Sequence, residues 1–260
     1  MSVATQSRQR SRIPGPLDTY ASPLELFNVL TTIAGGGNAG CQLWMDASQL
    51  TGLANGDPLT TFTDLSGEAH HATGVTTTRP TYYSSANLIN SLPVVRFDAT
   101  THKMTTGYTV NGSFTIFLVE KGVSSVTYAR TINNGSGSET CISLAARNAG
   151  NNCYIGGNNI SNYQATPLAS VHQGCLVNDT GNDYVTAYFV DGFQRGSALD
   201  LDTSISSLGL GATSPSYGTE GSNSDVCEII IYDSALDTTN RQLVETYLRS
   251  KWATPAQPAS

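Results

Sequence analysis

EIIIYDSALDTTNRQLVETYLRSKW, Glu228 to Trp252, carries the clearest structural signal in the chain. Ile229, Ile230, Ile231 and Tyr232 form a β-branched and aromatic run, which suits a pleated surface with little water on it. The period then changes. Leu243, Val244, Tyr247, Leu248 and Trp252 recur at helical spacing as one apolar stripe. Asp237 is placed to cap this helix, because its carboxylate can accept the orphan N–H groups of the first turn. Glu245 and Arg249 stand four apart in the favourable order for an ion pair. The helix ends before Thr254-Pro255, since a residue preceding proline avoids the α region. A strand feeding a helix of this kind needs a surface to pack on, and the rest of the chain is read as supplying it.

Across 260 residues only 13% are charged, while Gly numbers 25. That composition suits short strands joined by many turns rather than a helical protein. The net charge of −7 argues against nucleic acid as a partner, because phosphate binding needs a basic footprint. No apolar run approaches the roughly 20 residues that span a bilayer. The first twenty residues are polar and basic and lack the apolar core of a signal peptide, so the expectation is a protein made in a host cytoplasm that stays there or leaves by lysis or assembly into a virion. Cys41, Cys141, Cys153, Cys175 and Cys227 are odd in number and widely spaced without a C-x-x-C, which favours free thiols used as small apolar residues; Cys141 and Cys153 are the pair open to oxidation.

Residues 1–40 differ in character from the remainder of the chain. Arg8, Arg10 and Arg12 form a basic patch, and Pro14-Gly-Pro16 breaks the chain. Pro23 to Ile33 has the marks of a short helix with Leu24, Phe27 and Leu30 on one face, ahead of a glycine-rich hinge at 34–38. Such a helix cannot bury its face alone. Either it docks on its own domain, or it anchors the domain to a larger assembly through those three side chains.

From Cys41 the pattern is strands and turns. The strands expected are Gln42–Met45, Val94–Phe97, Phe114–Glu120 (apolar on both faces), Cys153–Ile155, Val171–Val177, Tyr184–Val190 and Glu228–Tyr232. Asp191-Gly192 marks a type I′ hairpin. Short strands at this spacing mean an antiparallel sandwich rather than βαβ units. The expectation is an all-β, two-sheet antiparallel jelly-roll sandwich over 41–254. It carries a C-terminal helix, an N-terminal extension with a short helix, and a disordered tail at 255–260.

Leu43-Trp44-Met45-Asp46-Ala47-Ser48, Gly56-Asp57-Pro58, Asp64-Leu65-Ser66-Gly67, Arg79-Pro80-Thr81-Tyr82 and Leu92-Pro93-Val94-Val95-Arg96-Phe97-Asp98 occur in the order typical of concanavalin A-like lectin/glucanase domains. They resemble in particular the laminin-G-like jelly rolls of bacterial and phage proteins. The close at Glu228–Leu236, Tyr247-Leu248 and Lys251-Trp252 and the hairpin at Tyr188–Phe193 are similar as well. Two positions depart from that pattern: Phe62 replaces a common tryptophan, and Glu68-Ala69-His70-His71 replaces Asn-Gly-Asn-His. The resemblance implies a sandwich whose first and last strands are neighbours.

Glycosidases need two carboxylates flanking the scissile bond. The glucanase branch places them as E-x-D-x-x-E on one strand, and this chain has no such run, so the expectation is a protein that is not an enzyme. His70-His71 reads as a loop rather than a metal pair, and His102 and His172 receive no role. Laminin-G-like domains sometimes carry Ca2+ in rim loops; Asp179 and Asp183, with Asn178 and Asn182, form an oxygen-rich loop that serves equally as an Asx-type turn. Sugar binding needs an aromatic with amide neighbours, and Tyr154, Asn158, Asn159 and Tyr163 in GNNCYIGGNNISNYQ supply them, although a strand with a polar loop explains the same residues. The function expected is a virion structural protein of a bacteriophage: a tail, head-fibre or capsid-decoration module. It would be anchored to other virion proteins through residues 1–40, oligomeric in the assembly, and display a lectin-like domain. The alternative is a carbohydrate-binding module for cell-surface glycans, with a glycoside hydrolase ranked last.

Overall fold

The structure is a computed structural model that describes residues 40–124, 126, 129–134, 141–142, 153–155, 158–160, 170–181, 185–200, 205, 207–211 and 221–255. The short helix expected in residues 1–40 and the tail at 256–260 lie outside the described residues. In chain order the strands are β1 (Cys41–Asp46), β2 (Thr61–Phe62), β3 (Ala72–Thr73), β4 (Thr81–Tyr83), β5 (Val94–Phe97), β6 (Lys103–Thr105), β7 (Phe114–Gly122) and β8 (Ile132–Asn134). They continue with β9 (Cys141–Ile142), β10 (Cys153–Ile155), β11 (Asn158–Ile160), β12 (Val171–Asp179), β13 (Val185–Val190), β14 (Phe193–Asp200), β15 (Leu208–Gly211) and β16 (Ser224–Tyr232). The helix α1 (Thr238–Trp252) closes the chain.

Two eight-stranded antiparallel sheets form a jelly-roll sandwich, as the sequence implied. One runs β14-β13-β12-β7-β16-β5-β4, with β1 also paired to β16; the other runs β11-β10-β9-β8-β15-β6-β3-β2. First and last strands are neighbours, Asp46 standing opposite Glu228. Between the sheets lies a core that includes Leu43, Phe97, Phe114, Ile116, Leu118, Ile229 and Ile231 from the first sheet and Phe62, Met104, Ile132 and Leu210 from the second. The other face of the first sheet is covered too. Trp44, Phe117, Val119, Cys175, Ile230 and Tyr232 pack against Val244, Tyr247, Leu248 and Trp252 of α1. Burial on both faces explains why β7 and β16 read as unbroken apolar runs instead of alternating ones. Cys41, Cys175 and Cys227 are buried free thiols, and burial pushes Cys41 up to about 12.

The β13–β14 hairpin turns on Asp191 (φ 51°) and Gly192 (φ 84°), the positive pair that type I′ geometry requires. Gly211 is fixed by space as well as by its φ of 79°: a Cβ there would meet the His102 carbonyl oxygen at 2.3 Å and the Phe97 ring at 2.5 Å.

Asp237 caps α1 as expected, accepting from Asn240 N at 2.8 Å. The helix covers a face of the first sheet, and two of its details differ from the sequence reading. Leu243, assigned to the apolar stripe, is 41% exposed. Glu245 forms a buried ion pair with Arg241, a partner the sequence reading did not name. A helix lying flat on a broad sheet buries a wider stripe than its own apolar residues fill. Arg241 meets that demand by stacking its guanidinium 3.8 Å from the Phe189 ring centroid.

Glu228 joins α1 to the sheet. It is wholly buried, and its two oxygens accept from Trp44 Nε1 (2.7 Å), Tyr247 Oη (2.8 Å), Trp252 Nε1 (2.6 Å) and Lys251 Nζ (2.9 Å). Lys251 also pairs with buried Asp46. Burial raises Glu228 above the ordinary carboxylate range while Lys251 draws it back. Burial alone would lower Lys251, but Glu228 and Asp46 outweigh it and hold the ammonium above its usual value.

The clamp is testable at two of its members. Trp252→Ala removes a fully buried ring and one donor to Glu228, so chemical denaturation should show a loss of about 3–5 kcal/mol; a neutral result would make the helix peripheral. Lys251→Met leaves two buried carboxylates uncompensated and should cost about 3–5 kcal/mol near neutral pH. Because the folded lysine pKa is raised, its contribution is full below about 10.5 and is lost as pH climbs through the folded value. The gap in melting temperature between wild type and Lys251→Met should therefore narrow at strongly alkaline pH; a constant gap would disprove the charge pairing.

Candidate functional site

The second sheet presents a different surface. Its inner row is apolar, Met104, Leu210 and Ile132 standing opposite one another in turn. One residue along each strand the direction reverses, because successive side chains alternate faces. The resulting outer row can be followed across every strand of the sheet. Thr61 stands opposite Thr73, Thr73 opposite Thr105, Thr105 opposite Gly209 and Gly209 opposite Asn133. Asn133 stands opposite Cys141, Cys141 opposite Tyr154 and Tyr154 opposite Asn159. Among the side chains described, this row carries the Thr61, Thr73 and Thr105 hydroxyls and the Asn133 amide, and no formal charge; the register continues it through Cys141 to Tyr154 and Asn159. Thr73 and Thr105 are exposed, whereas Asn133 is buried. Asn133 donates from Nδ2 to the Gly211 carbonyl at 2.8 Å, and its Oδ1 has no hydrogen-bond partner among the described residues.

A second polar group lies at one end of the space between the sheets. Glu120 of β7 accepts from the Thr131 and Ser224 hydroxyls, the latter at 2.9 Å, and Ser224 in turn bonds to Ser222. Directly opposite Glu120 on β12 stands His172, whose Nδ1–H donates to Asp191 Oδ2 at 2.6 Å. Asp191 is held in turn by Gln173 N at 3.1 Å. His172 Nε2 is buried without a hydrogen-bond partner among the described residues. Sheet pairing thus gathers two carboxylates and an imidazole that are up to 71 residues apart in the chain, from Glu120 to Asp191. Glu120, His172 and Asp191 are all buried.

The residues singled out in the sequence have different fates. Tyr154 pairs with Asn159 in the register of β10 and β11, and Asn158 pairs with Ile155 one position along. Tyr163, Asp183, Leu24, Phe27 and Leu30 lie outside the described residues. Asp179 accepts from Gly181 N at 3.0 Å in an Asx-type turn. Its neighbour Asn178 is committed to the scaffold, donating to the Gly112 carbonyl and accepting from Thr186. No group of three metal-ligating side chains occurs among the described residues. His70 stacks on Tyr108 at 4.3 Å, and His71 Nδ1 accepts from Asp64 N. The Asp64-Leu65-Ser66-Gly67 motif is a loop clamp: Asp64 accepts from Trp44 N, Ser66 N, Ser66 Oγ and His70 N. Arg96 of the Val94–Asp98 motif makes a two-pronged bond to Asp225 at 2.7 and 2.8 Å. Sequence reasoning missed the Thr61–Asn133 row and the Glu120–His172–Asp191 group. Period-two alternation marks the first only weakly in strands of two to four residues, and only the fold assembles the second.

No family model matches the sequence, and no curated protein is similar to it. Solved structures do share the fold. Domain 4 of AbnA, a GH43 extracellular arabinanase from Geobacillus stearothermophilus determined in complex with arabinotriose, matches at a TM-score of 0.58 and 13% identity, over 80% of this chain and 98% of that domain. A Trypanosoma rangeli sialidase in complex with sialic acid matches at 0.57 and 14% identity, over 89% of this chain. The chain spans about 38% of that sialidase's length. A GH54 α-L-arabinofuranosidase matches at 0.59 and 10% identity, over 89% of this chain and 68% of that one. At these identities the likeness establishes a β-sandwich shared with carbohydrate-active proteins. It also corrects the expectation that the chain is not an enzyme, because all three structures come from glycoside hydrolases. Sheet pairing can bring together carboxylates from different strands, as it does Glu120 and Asp191, so the missing E-x-D-x-x-E run excludes nothing.

Proposed function

We propose that this chain is a glycan-binding sandwich that holds a neutral oligosaccharide along the outer row of its second sheet. The observation that carries the reading is the uncharged Thr61–Thr73–Thr105–Asn133 row continuing to Tyr154 and Asn159. Sugar hydroxyls are satisfied by hydroxyl and amide groups, and the apolar face of a sugar ring stacks on an aromatic. The domain of AbnA that this fold covers almost completely was determined with arabinotriose, which makes arabinose-containing chains the first to test. The motifs of residues 43–98 and the adjacency of β1 and β16 support placement within the concanavalin A-like, laminin-G-like group.

The test is a glycan array followed by calorimetric titration of its hits and of arabinotriose. Tyr154→Ala should weaken the dissociation constant by about tenfold or more with the melting temperature kept, corresponding to ~1.4 kcal/mol of lost stacking. An array without hits, or a variant that binds like wild type, would sink the reading. Released reducing sugar in the same samples distinguishes cleavage from binding.

A second reading concerns residues 1–40. Leu24, Phe27 and Leu30 give this arm an apolar face that a short helix cannot bury alone. On this reading the arm fixes the sandwich to other proteins of a phage particle and Asp179 and Asp183 remain candidates for Ca2+. Deletion of residues 1–40 should leave the melting temperature within a degree or two but abolish incorporation into the particle. Normal incorporation of the truncated chain would end the proposal.

A further inference from the structure

The outer row runs into a cavity at its β2 edge. The chain leaves β1, makes a 3-10 turn at Ala47–Gln49 and loops back to β2, enclosing about 350 Å3 between Gln49 and Leu65. That is the low end of the roughly 300–1,000 Å3 typical of small-molecule sites. Leu59 is its buried floor and Leu50, Leu53 and Leu65 are half-buried walls. Thr61 and Thr63 lie at its rim. None of the lining residues is charged. The Thr60 hydroxyl is already engaged by Arg79 Nη1 at 2.8 Å, whereas no hydrogen bond engages the Thr61 and Thr63 hydroxyls among the described residues.

No charged side chain lines the cavity to neutralise a cation or a phosphate, Arg79 reaching only the Thr60 hydroxyl from outside, and a purely apolar ligand would bury hydroxyls without partners. An uncharged ring with one face of C–H groups and an edge of hydroxyls satisfies both walls. Thr61 belongs to the cavity and to the outer row at once, so a chain lying along the row enters the cavity without a break.

We infer that this cavity is a terminal subsite that takes the end sugar of a neutral oligosaccharide, its C–H face on Leu53 and Leu59 and its hydroxyls on Thr61 and Thr63. The inference rests on the glycan-binding reading above and assigns the row a direction, with the chain end at β2 and the interior units toward Tyr154.

The full chain, labelled at leucine methyl groups, should be titrated with arabinotriose and with the strongest glycan from the array while NMR shifts are recorded. The expected result is shift changes at Leu50, Leu53, Leu59 and Leu65, and a dissociation constant weakened about fivefold or more by the isosteric pair Thr61→Val and Thr63→Val. Leu53→Trp, which fills the cavity from a half-buried position, should weaken binding as well; melting temperatures confirm that each variant is folded. Unchanged affinity in both variants with still methyl signals, while Tyr154→Ala loses binding, would overturn the subsite and leave the glycan reading standing. An absence of binding by every glycan would overturn both.

Discussion

A carboxylate with no water on it must be satisfied by protein, and the arrangement of the covered sheet turns on meeting that demand for Glu228. Four donors converge on it, three of them from α1 and one from β1. Because β1 and α1 are bound to the same side chain of β16, the two ends of the domain are tied at one point. The apolar contacts around it contribute more free energy through area, since each fully buried large side chain is worth roughly 1.5–3 kcal/mol. They are, however, indifferent to direction. Buried charge is not: removing one partner leaves the others uncompensated, so the clamp specifies where the helix sits.

That placement has a consequence for the other sheet. With its helix spent on the first sheet, the chain covers one sandwich face heavily and leaves Thr73 and Thr105 of the second exposed to solvent. An exposed β face must be polar to stay soluble, and Thr is the polar residue that costs a strand least. Threonines there are thus explained by solubility alone. The chemistry that points beyond it is local: a row that stays uncharged where lysine or glutamate would serve solubility equally, a buried amide with an open oxygen at Asn133, and a leucine-walled cavity at the row's end.

The sequence read long elements well and assemblies poorly. β7, β16, the Asp191-Gly192 turn and α1 were legible because each carries its own signal: an apolar run, an enforced positive φ, a helical period with a cap. The contact of β1 with β16 came through family resemblance. The width of the helix's buried stripe did not, because Arg241 and Glu245 are polar residues buried by the flatness of the sheet beneath them and nothing in their own sequence marks that. The strands of the second sheet were mostly invisible, since β2 and β3 have two residues each and two residues have no period. Their alignment exists only through pairing with longer neighbours.

The same distinction explains why the absence of a catalytic motif along one strand excludes little. A motif search looks along one strand, where side chains on one face recur every second residue. A sheet also has a transverse direction, in which residues far apart in the chain stand roughly 4.5–5.5 Å apart at Cβ. His172 and Glu120 are neighbours in that direction, and Asp191 is brought to His172 by the hairpin after β13. The outer row from Thr61 to Asn159 is built the same way. In this fold chemistry is written across strands, so its sites are found from register, and a sequence read in one dimension discloses the strands before it discloses what they hold together.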